Sequence, residues 1–510
     1  MRDFELGKAG WWVVVAGGVL VGAGWGCSSK STGSSSSSGG SAGASGSGGA
    51  SGGTSGSGGA SGGASGSGGA SGAGGGGASG ASGSGGASGA SGAGGASGAS
   101  GSGGASGGAG GSGGASGGAS GSGGASGSGG AAGPTILHKS VALGSSHTCA
   151  VTPSGQVKCW GDNSLGNLGR GYLGGSGGAP AIDPTPGVVQ NKTPSGPLGN
   201  VSRIASGGWH SCALSGTDVY CWGRNNTGEV GTNAGGSTAP SAVTAAAVTG
   251  AASDVAVGIR HSCAALGSGG VTCWGDNTNK QLGPSGGALS GTKIANLEAG
   301  GETTCAITDE TPRKLYCWGK NDKSQLTSVA GGVASSESPV LITGITNPLR
   351  VAVGFTHVCA LDDAGTLYCW GENVAGQVGN GSSGAGQIAT VPTAVSTTNF
   401  SNGAIAYDVE AGWDHTCALV GAGALQIFCW GNNPQKQLAQ PSIAKSDLPM
   451  LVGGLGSSLT LVEVASLGNV TTCARDQSAD VYCWGGNSHG QLGNANLTPQ
   501  ASPVKVVGFP

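Results

Sequence analysis

Between Gly144 and Asn487 one frame recurs seven times: Gly-x-x-[His or Thr]-x-Cys, then nine to twelve residues after that cysteine a second one in Cys-Trp-Gly-x-Asn. The first cysteines are Cys149, Cys212, Cys263, Cys305, Cys359, Cys417 and Cys473. Their partners are Cys159, Cys221, Cys273, Cys317, Cys369, Cys429 and Cys483. Successive units lie 42 to 63 residues apart, and only in the fourth, at Gly300-Gly301, is the place of the frame glycine ambiguous. Repeats of this length are single supersecondary units that bury their apolar faces against their neighbours. The units fill residues 134–510, a stretch longer than the roughly 250–300 residues that one core usually supports.

Each stretch between paired cysteines reads as a β-hairpin. In the first unit, Pro153-Ser154-Gly155 forms a turn between two strands and sets Val151 opposite Val157 and Cys149 opposite Cys159. In the second unit the turn shrinks to Gly216-Thr217, and Leu214 still meets Val219 while Cys212 meets Cys221. Loop length and cysteine spacing change together, which favours a disulfide in each unit. The competing reading is zinc, with His147, His210, His261, His357 and His415 two residues before their cysteines. No Cys-x-x-Cys knuckle accompanies them and two units carry Thr instead. Disulfides, and no metal, are expected.

The cysteine count is fifteen, and Cys27 is the one left over. Arg2 and Lys8, the apolar stretch Ala9–Trp25 and Gly26 precede it. That order resembles a lipoprotein signal, with Cys27 as the lipidated residue; an uncleaved membrane anchor and an ordinary cleaved signal are the alternatives. All three readings export the chain to an oxidising compartment, and the lipoprotein reading makes it a periplasmic or cell-surface protein anchored to a membrane. Residues 28–133 are nearly all Gly, Ser and Ala. Such a composition cannot bury enough apolar surface to order itself, and about 106 residues would span roughly 60 Å as a flexible tether. The expected organisation is therefore a signal segment (1–27), a disordered linker (28–133) and a repeat domain (134–510). With 21 Lys+Arg against 24 Asp+Glu and no basic run, nucleic acid is not an expected partner.

Gly354–Leu361 with Leu367–Gly379, and the close Gly490-Gln491-Leu492-Gly493, resemble the regulator of chromosome condensation repeat. The resemblance implies an all-β, seven-bladed β-propeller with four-stranded blades. It also brings the nucleotide-exchange activity of the family's founding member, which acts on a nuclear GTPase that an exported chain would not meet. Secreted propellers of similar repeat type include inhibitors of β-lactamase, so the scaffold can serve as a protein binder. Most units follow an outer-strand motif such as Ser338-Pro339-Val340-Leu341-Ile342, but the first has none, and Ser502–Val507 stands alone at the other end. The C-terminal strand is thus expected to complete the first blade and so close the ring.

The recurrent residues read as structure. Trp160, Trp222, Trp274, Trp318, Trp370, Trp430 and Trp484 are expected between blades, and the frame Asn in the turn that follows. The frame His is expected to be a hydrogen-bonded blade residue, since a catalytic site needs one copy and not five. Function is sought instead where the frame varies. Between the frame glycine and the His/Thr lie Ser145-Ser146, Gly208-Trp209, Ile259-Arg260, Gly301-Glu302, Phe355-Thr356, Trp413-Asp414 and Asn469-Val470. Equivalent loops emerge on one propeller face, so Trp209, Arg260, Glu302, Phe355, Trp413 and Asp414 are the candidate binding residues. The expected function is a monomeric, non-enzymatic binding module without a cofactor, taking a protein or other ligand. The alternative is an exported lyase or glycan hydrolase, which charged side chains gathered on the propeller axis would favour.

Overall fold

The computed structural model describes residues 139–510, apart from 233–235, 237, 328–331, 457–459, 466, 467 and 469. Cys27, the linker 28–133 and residues 134–138 lie outside the described residues. Every regular element described is a strand, and the strands form seven sheets that follow one another along the chain as the blades of a propeller. Blade 1 consists of Val141–Leu143 nearest the axis, His147–Val151, Val157–Asp162 and the outer strand Ile182–Val188. Blades 2, 4, 5, 6 and 7 repeat this order, with a short hairpin added outside blade 2. Blade 3 has three strands: Ala252–Val257, His261–Leu266 and Val271–Gly275.

Alternation along each strand gives every sheet two apolar faces. In blade 1, Cys149, Val151, Val157 and Cys159 face Ile204, Ala213 and Trp222 of blade 2. Ala150 and Trp160 face the other way, onto Cys473, Val481 and Leu492 of blade 7. The domain thus divides its burial into seven small cores between blades, which is how it escapes the single-core size limit. Both hairpin registers read from the sequence occur, and all seven cysteine pairs are directly opposed. Each pair is bonded across the hairpin, with Cα atoms 4.0–4.1 Å apart.

Closure differs from the expectation. The C-terminal strand Gln500–Lys505 pairs with Val481–Gly485 and completes blade 7, while blade 1 takes its outer strand from its own Ile182–Val188. The Ser-Pro-Val motif pairs with the Cys-Trp-Gly strand that precedes it, as Val340 does opposite Cys317, so the motif ends a blade and does not open the next. Blades 7 and 1 join through side chains instead. Glu463 accepts the N–H groups of Ser140 (2.8 Å) and Val141 (2.9 Å) and the Ser140 hydroxyl. Phe509 packs against Trp160, with ring centroids 6.0 Å apart.

One polar lock recurs around the ring. Each frame Trp donates its Nε1–H to a backbone carbonyl of the preceding blade, from Trp222 to Asn167 (3.0 Å) round to Trp160 to Gln491 (2.9 Å). In five of these places a Ser or Thr hydroxyl donates to the same carbonyl: Thr148, Ser262, Thr304, Thr416 and Thr472. The frame His of one blade meets the hydroxyl of the next through Nε2, as His357 meets Thr416 at 2.8 Å. Blade 4 has Thr303 in place of His, and the facing position in blade 5 is Val358 without a hydroxyl; the two changes match. Each frame Asn accepts the N–H five residues on, from Leu168 on Asn163 to Leu492 on Asn487. Imidazole Nε2 turns to the next blade and the sulfurs bond each other, so the Cys₂His zinc set is not assembled.

Candidate binding face

The loop between the innermost and second strands is pinned by its glycine. A Cβ on Gly354 would lie 2.5 Å from the Gly412 carbonyl oxygen and 2.6 Å from the His357 ring. In blade 4 the strand register gives this place to Gly300. With the glycine and the His/Thr fixed, the two residues between them are held in equivalent positions in each blade.

They divide into two rings. Ile259, Phe355 and Trp413 come from the first variable position and line a narrow funnel on the axis, together with the frame glycines Gly258, Gly300, Gly354 and Gly412. Phe355 and Trp413 stack at 4.8 Å, both half-buried. The second variable position turns outward, to the residue after Cys-Trp-Gly in its own blade. Trp209 receives the Arg224 guanidinium at 5.3 Å. Glu302 pairs with Lys320 at 3.0 Å, the Thr356 hydroxyl donates to Glu372 at 2.9 Å, and Asp414 is hydrogen-bonded to Asn432. Arg260 is exposed and forms no ion pair with a described residue. The six candidates therefore share one face, where Phe355 and Trp413 stack on each other. Arg224, Lys320, Glu372 and Asn432 complete the outer ring, and the signal for them was the x in Cys-Trp-Gly-x-Asn.

Between blades 5 and 6 this face opens into a cavity of about 410 Å³, lined by Glu372, Val374, Ala375, Gln377, Asp414, Asn432 and Lys445. Burial, with the nearby Glu372 carboxylate, raises the Asp414 pKa above the usual carboxylate range.

The other end of the axis is charged. The innermost strands place Arg203, Asp254, Asn296, Arg350, Asp408 and Glu463 at one position, each at a register shift in its strand. Several reach the next blade's innermost strand: Asp254 accepts the Leu297 N–H (3.0 Å), and Asn296 that of Val351 (3.0 Å). Two residues further on, opposite each first cysteine, stand Ala142, Ala205, Ala256, Glu298, Ala352, Glu410 and Ala465. The two glutamates that break this alanine ring both bind Lys139, at 2.7 and 2.8 Å. Arg203 adds pairs to Asp254 (2.5 Å) and Glu298 (2.9 Å). Burial opposes the charge on Lys139, but Glu298 and Glu410 outweigh it and hold the ammonium protonated. Burial and the second carboxylate push Glu410 up to about 8. A cavity of about 90 Å³ lies among these groups.

The seven blades thus share one polar frame and differ in their axial loops. The RCC1-like domain matches residues 108–447, and the regulator of chromosome condensation (RCC1) repeat matches residues 462–491 and 478–510. The chain belongs to the RCC1-like domain family. It is 29% identical to the ultraviolet-B receptor UVR8 of Arabidopsis thaliana over 329 residues, covering 61% of this chain and 70% of the receptor. It is 27% identical to the human E3 ubiquitin-protein ligase HERC2 over 395 residues, 74% of this chain but only 8% of that ligase. Among solved structures, Prp20p of Saccharomyces cerevisiae, described with its binding to Gsp1p and histones, has the same fold. The TM-score is 0.57 at 19% identity, over 70% of this chain and 87% of that one.

Proposed function

We propose that the loop face is a protein-binding surface and that the chain acts by recognition, without chemistry of its own. The observation that carries this is the ring of Ile259, Phe355 and Trp413 around the axial funnel, inside an outer ring containing Trp209, Arg260, Glu302 and Asp414. Aromatic and Arg side chains held half-exposed by a rigid frame are the usual anchors of an interface. Protein binding by Prp20p is in keeping with this reading. Trp209→Ala combined with Trp413→Ala should leave thermal unfolding nearly unchanged and weaken a partner identified by crosslinking by at least about a hundredfold. Undiminished affinity for that partner would remove the basis of the proposal.

We further propose export and a lipid anchor on Cys27, for which the seven cross-strand cysteine pairs are support, since such pairs persist in oxidising compartments. Mass spectrometry of the N-terminal peptide should find a diacylglyceryl group on Cys27, and Cys27→Ala should release the protein; an unmodified, still membrane-bound chain contradicts the anchor. A second reading, an exported lyase or hydrolase, is favoured by the charged axis at Lys139, Glu298 and Glu410. Against it, most of that charge is already spent on neighbouring strands and on itself.

A further inference from the structure

Six of the seven blades have an outer strand, and blade 3 does not. In blade 7, Gly493 and Val506 enclose the outer strand, and the Val506 N–H then donates to the Val481 carbonyl at 2.9 Å. Gly283 and Ala288 hold the same two places in blade 3, with Ala288 donating to the Val271 carbonyl at 2.9 Å. Five positions separate that pair, against thirteen in blade 7. Blade 3 lacks the strand but has the residues that flank it at both ends.

The strand it would cover is ordinary. Val271-Thr272-Cys273-Trp274-Gly275 differs from Val481–Gly485 of blade 7 at one position, Thr272 for Tyr482. Its inner side pairs with His261–Leu266, and among the described residues its outer side has only the bridge from Val271 to Ala288. Cys263 and Cys273 face each other at a Cα distance of 4.0 Å, the closer, non-hydrogen-bonded kind of pair, so the N–H and C=O of Cys273 point to the open side. Cys273 is half-buried, whereas the other thirteen disulfide cysteines have 0% exposure.

We propose that the outer edge of Val271–Gly275 is a strand-addition site for an extended segment of a partner protein, of the pattern Ser/Thr-Pro-aliphatic-x-aliphatic and preceded by an acidic residue. The pattern is set by the strands that fill this place elsewhere, Ser338–Ile342 in blade 4 and Ser502–Val506 in blade 7. In both, the aliphatic residue after proline lies opposite the cysteine: Val340 at Cys317 and Val504 at Cys483. The acidic preference follows from Lys280, five residues after Gly275 at the end of the edge that the residue before the motif would meet, exposed and paired with no carboxylate among the described residues. The site lies on the circumference of the ring and is independent of the loop face.

The test uses the full chain and a synthetic peptide of residues 335–342, Ser-Ser-Glu-Ser-Pro-Val-Leu-Ile. In the free chain the Cys273 amide should exchange with solvent faster than those of Cys317 and Cys483, and saturating peptide should slow it by at least about tenfold. The peptide with Val340→Pro, which lacks the N–H aimed at the edge, should not. Grafting blade 4's outer segment into blade 3 between Gly283 and Ala288 should fold, protect Cys273 and abolish peptide binding. A Cys273 amide already protected in the free chain, or unmoved by millimolar peptide, overturns the proposal. So does a graft variant that still binds, or self-association that the graft removes, which would assign the edge to a second copy.

Discussion

In four blades a buried imidazole meets a hydroxyl whose hydrogen already goes to a carbonyl: His210 with Ser262, His261 with Thr304, His357 with Thr416 and His415 with Thr472. The hydroxyl oxygen must therefore accept from Nε2–H, which leaves Nδ1 as a bare lone pair. That atom has no hydrogen-bond partner and lies against the frame glycine, where the His357 Nδ1 would be 2.7 Å from a Cβ on Gly354. A second proton would put an unpaired charge in a dry contact. Burial accordingly lowers His357 to about 3, with the nearby His415 adding to the shift. The unfolded chain takes up this proton near pH 6.5 and the folded one only near 3, so the stability that the neutral ring contributes is full above about 6.5 and falls as pH drops toward 3. His357→Gln keeps a donor for Thr416 and removes the titration. Its unfolding free energy should lose up to about 1.4 kcal/mol per pH unit of slope across that window, relative to the parent chain. Equal slopes in denaturant titrations at pH 6.5 and 4.5 would show that the ring protonates without opening the blade.

At the scale of the strand, the outer strands show how edges are kept closed. Pro184, Pro240, Pro339, Pro392, Pro449 and Pro503 each sit in the outer strand of a blade, removing a donor from an edge that would otherwise pair with other chains. Blade 3 has no such strand, and its disulfide alone is open to solvent. Mild reductant under native conditions should break Cys263–Cys273 well before the other six bonds, as read by differential alkylation and mass spectrometry; uniform labelling would mean that exchange is set by global unfolding. The hairpins were legible in the sequence because Pro153-Ser154-Gly155 and Gly216-Thr217 change the cysteine spacing by the amount that preserves their register. The missing strand was legible too, as the short run from Gly283 to Ala288, but only once each outer strand is assigned to the Cys-Trp-Gly strand before it. The order of motifs along the chain does not say which neighbour an outer strand joins, and that is why the expected completion of blade 1 by Ser502–Val507 failed. On the binding face, Trp209 and Trp413 were visible as departures from the frame. Their separation into two rings was not, because it depends on partners such as Arg224 and Asn432 that come from the other end of the hairpin.

For the whole ring, closure has to be achieved without an interlocking strand. Glu463 holds Ser140 and Val141 across the seam between blades 7 and 1, and Lys139 spans the axis to Glu298 and Glu410 in blades 4 and 6. Two buried carboxylates on one half-buried ammonium form an arrangement whose desolvation cost competes with its attraction. Removing only the cation should therefore be severe: Lys139→Met leaves the Glu410 carboxyl unpaired and Glu298 with Arg203 alone, and should cost about 3–5 kcal/mol. Replacing the whole group is different, because five of the seven blades already carry Ala where Glu298 and Glu410 stand. The variant Lys139→Met with Glu298→Ala and Glu410→Ala should recover most of that loss in chemical denaturation. Its Val141–Leu143 amides should stay protected from exchange through the intact Glu463 contacts. The same variant separates the two functional readings. If the axis were an enzymatic centre, the triple variant would be stable and inactive toward whatever substrate the parent chain turns over. If the charges serve closure and the loop face serves recognition, the triple variant should bind the crosslinked partner with the affinity of the parent chain. A stable triple variant that has lost partner binding would contradict the assignment of recognition to Trp209, Trp413 and their ring.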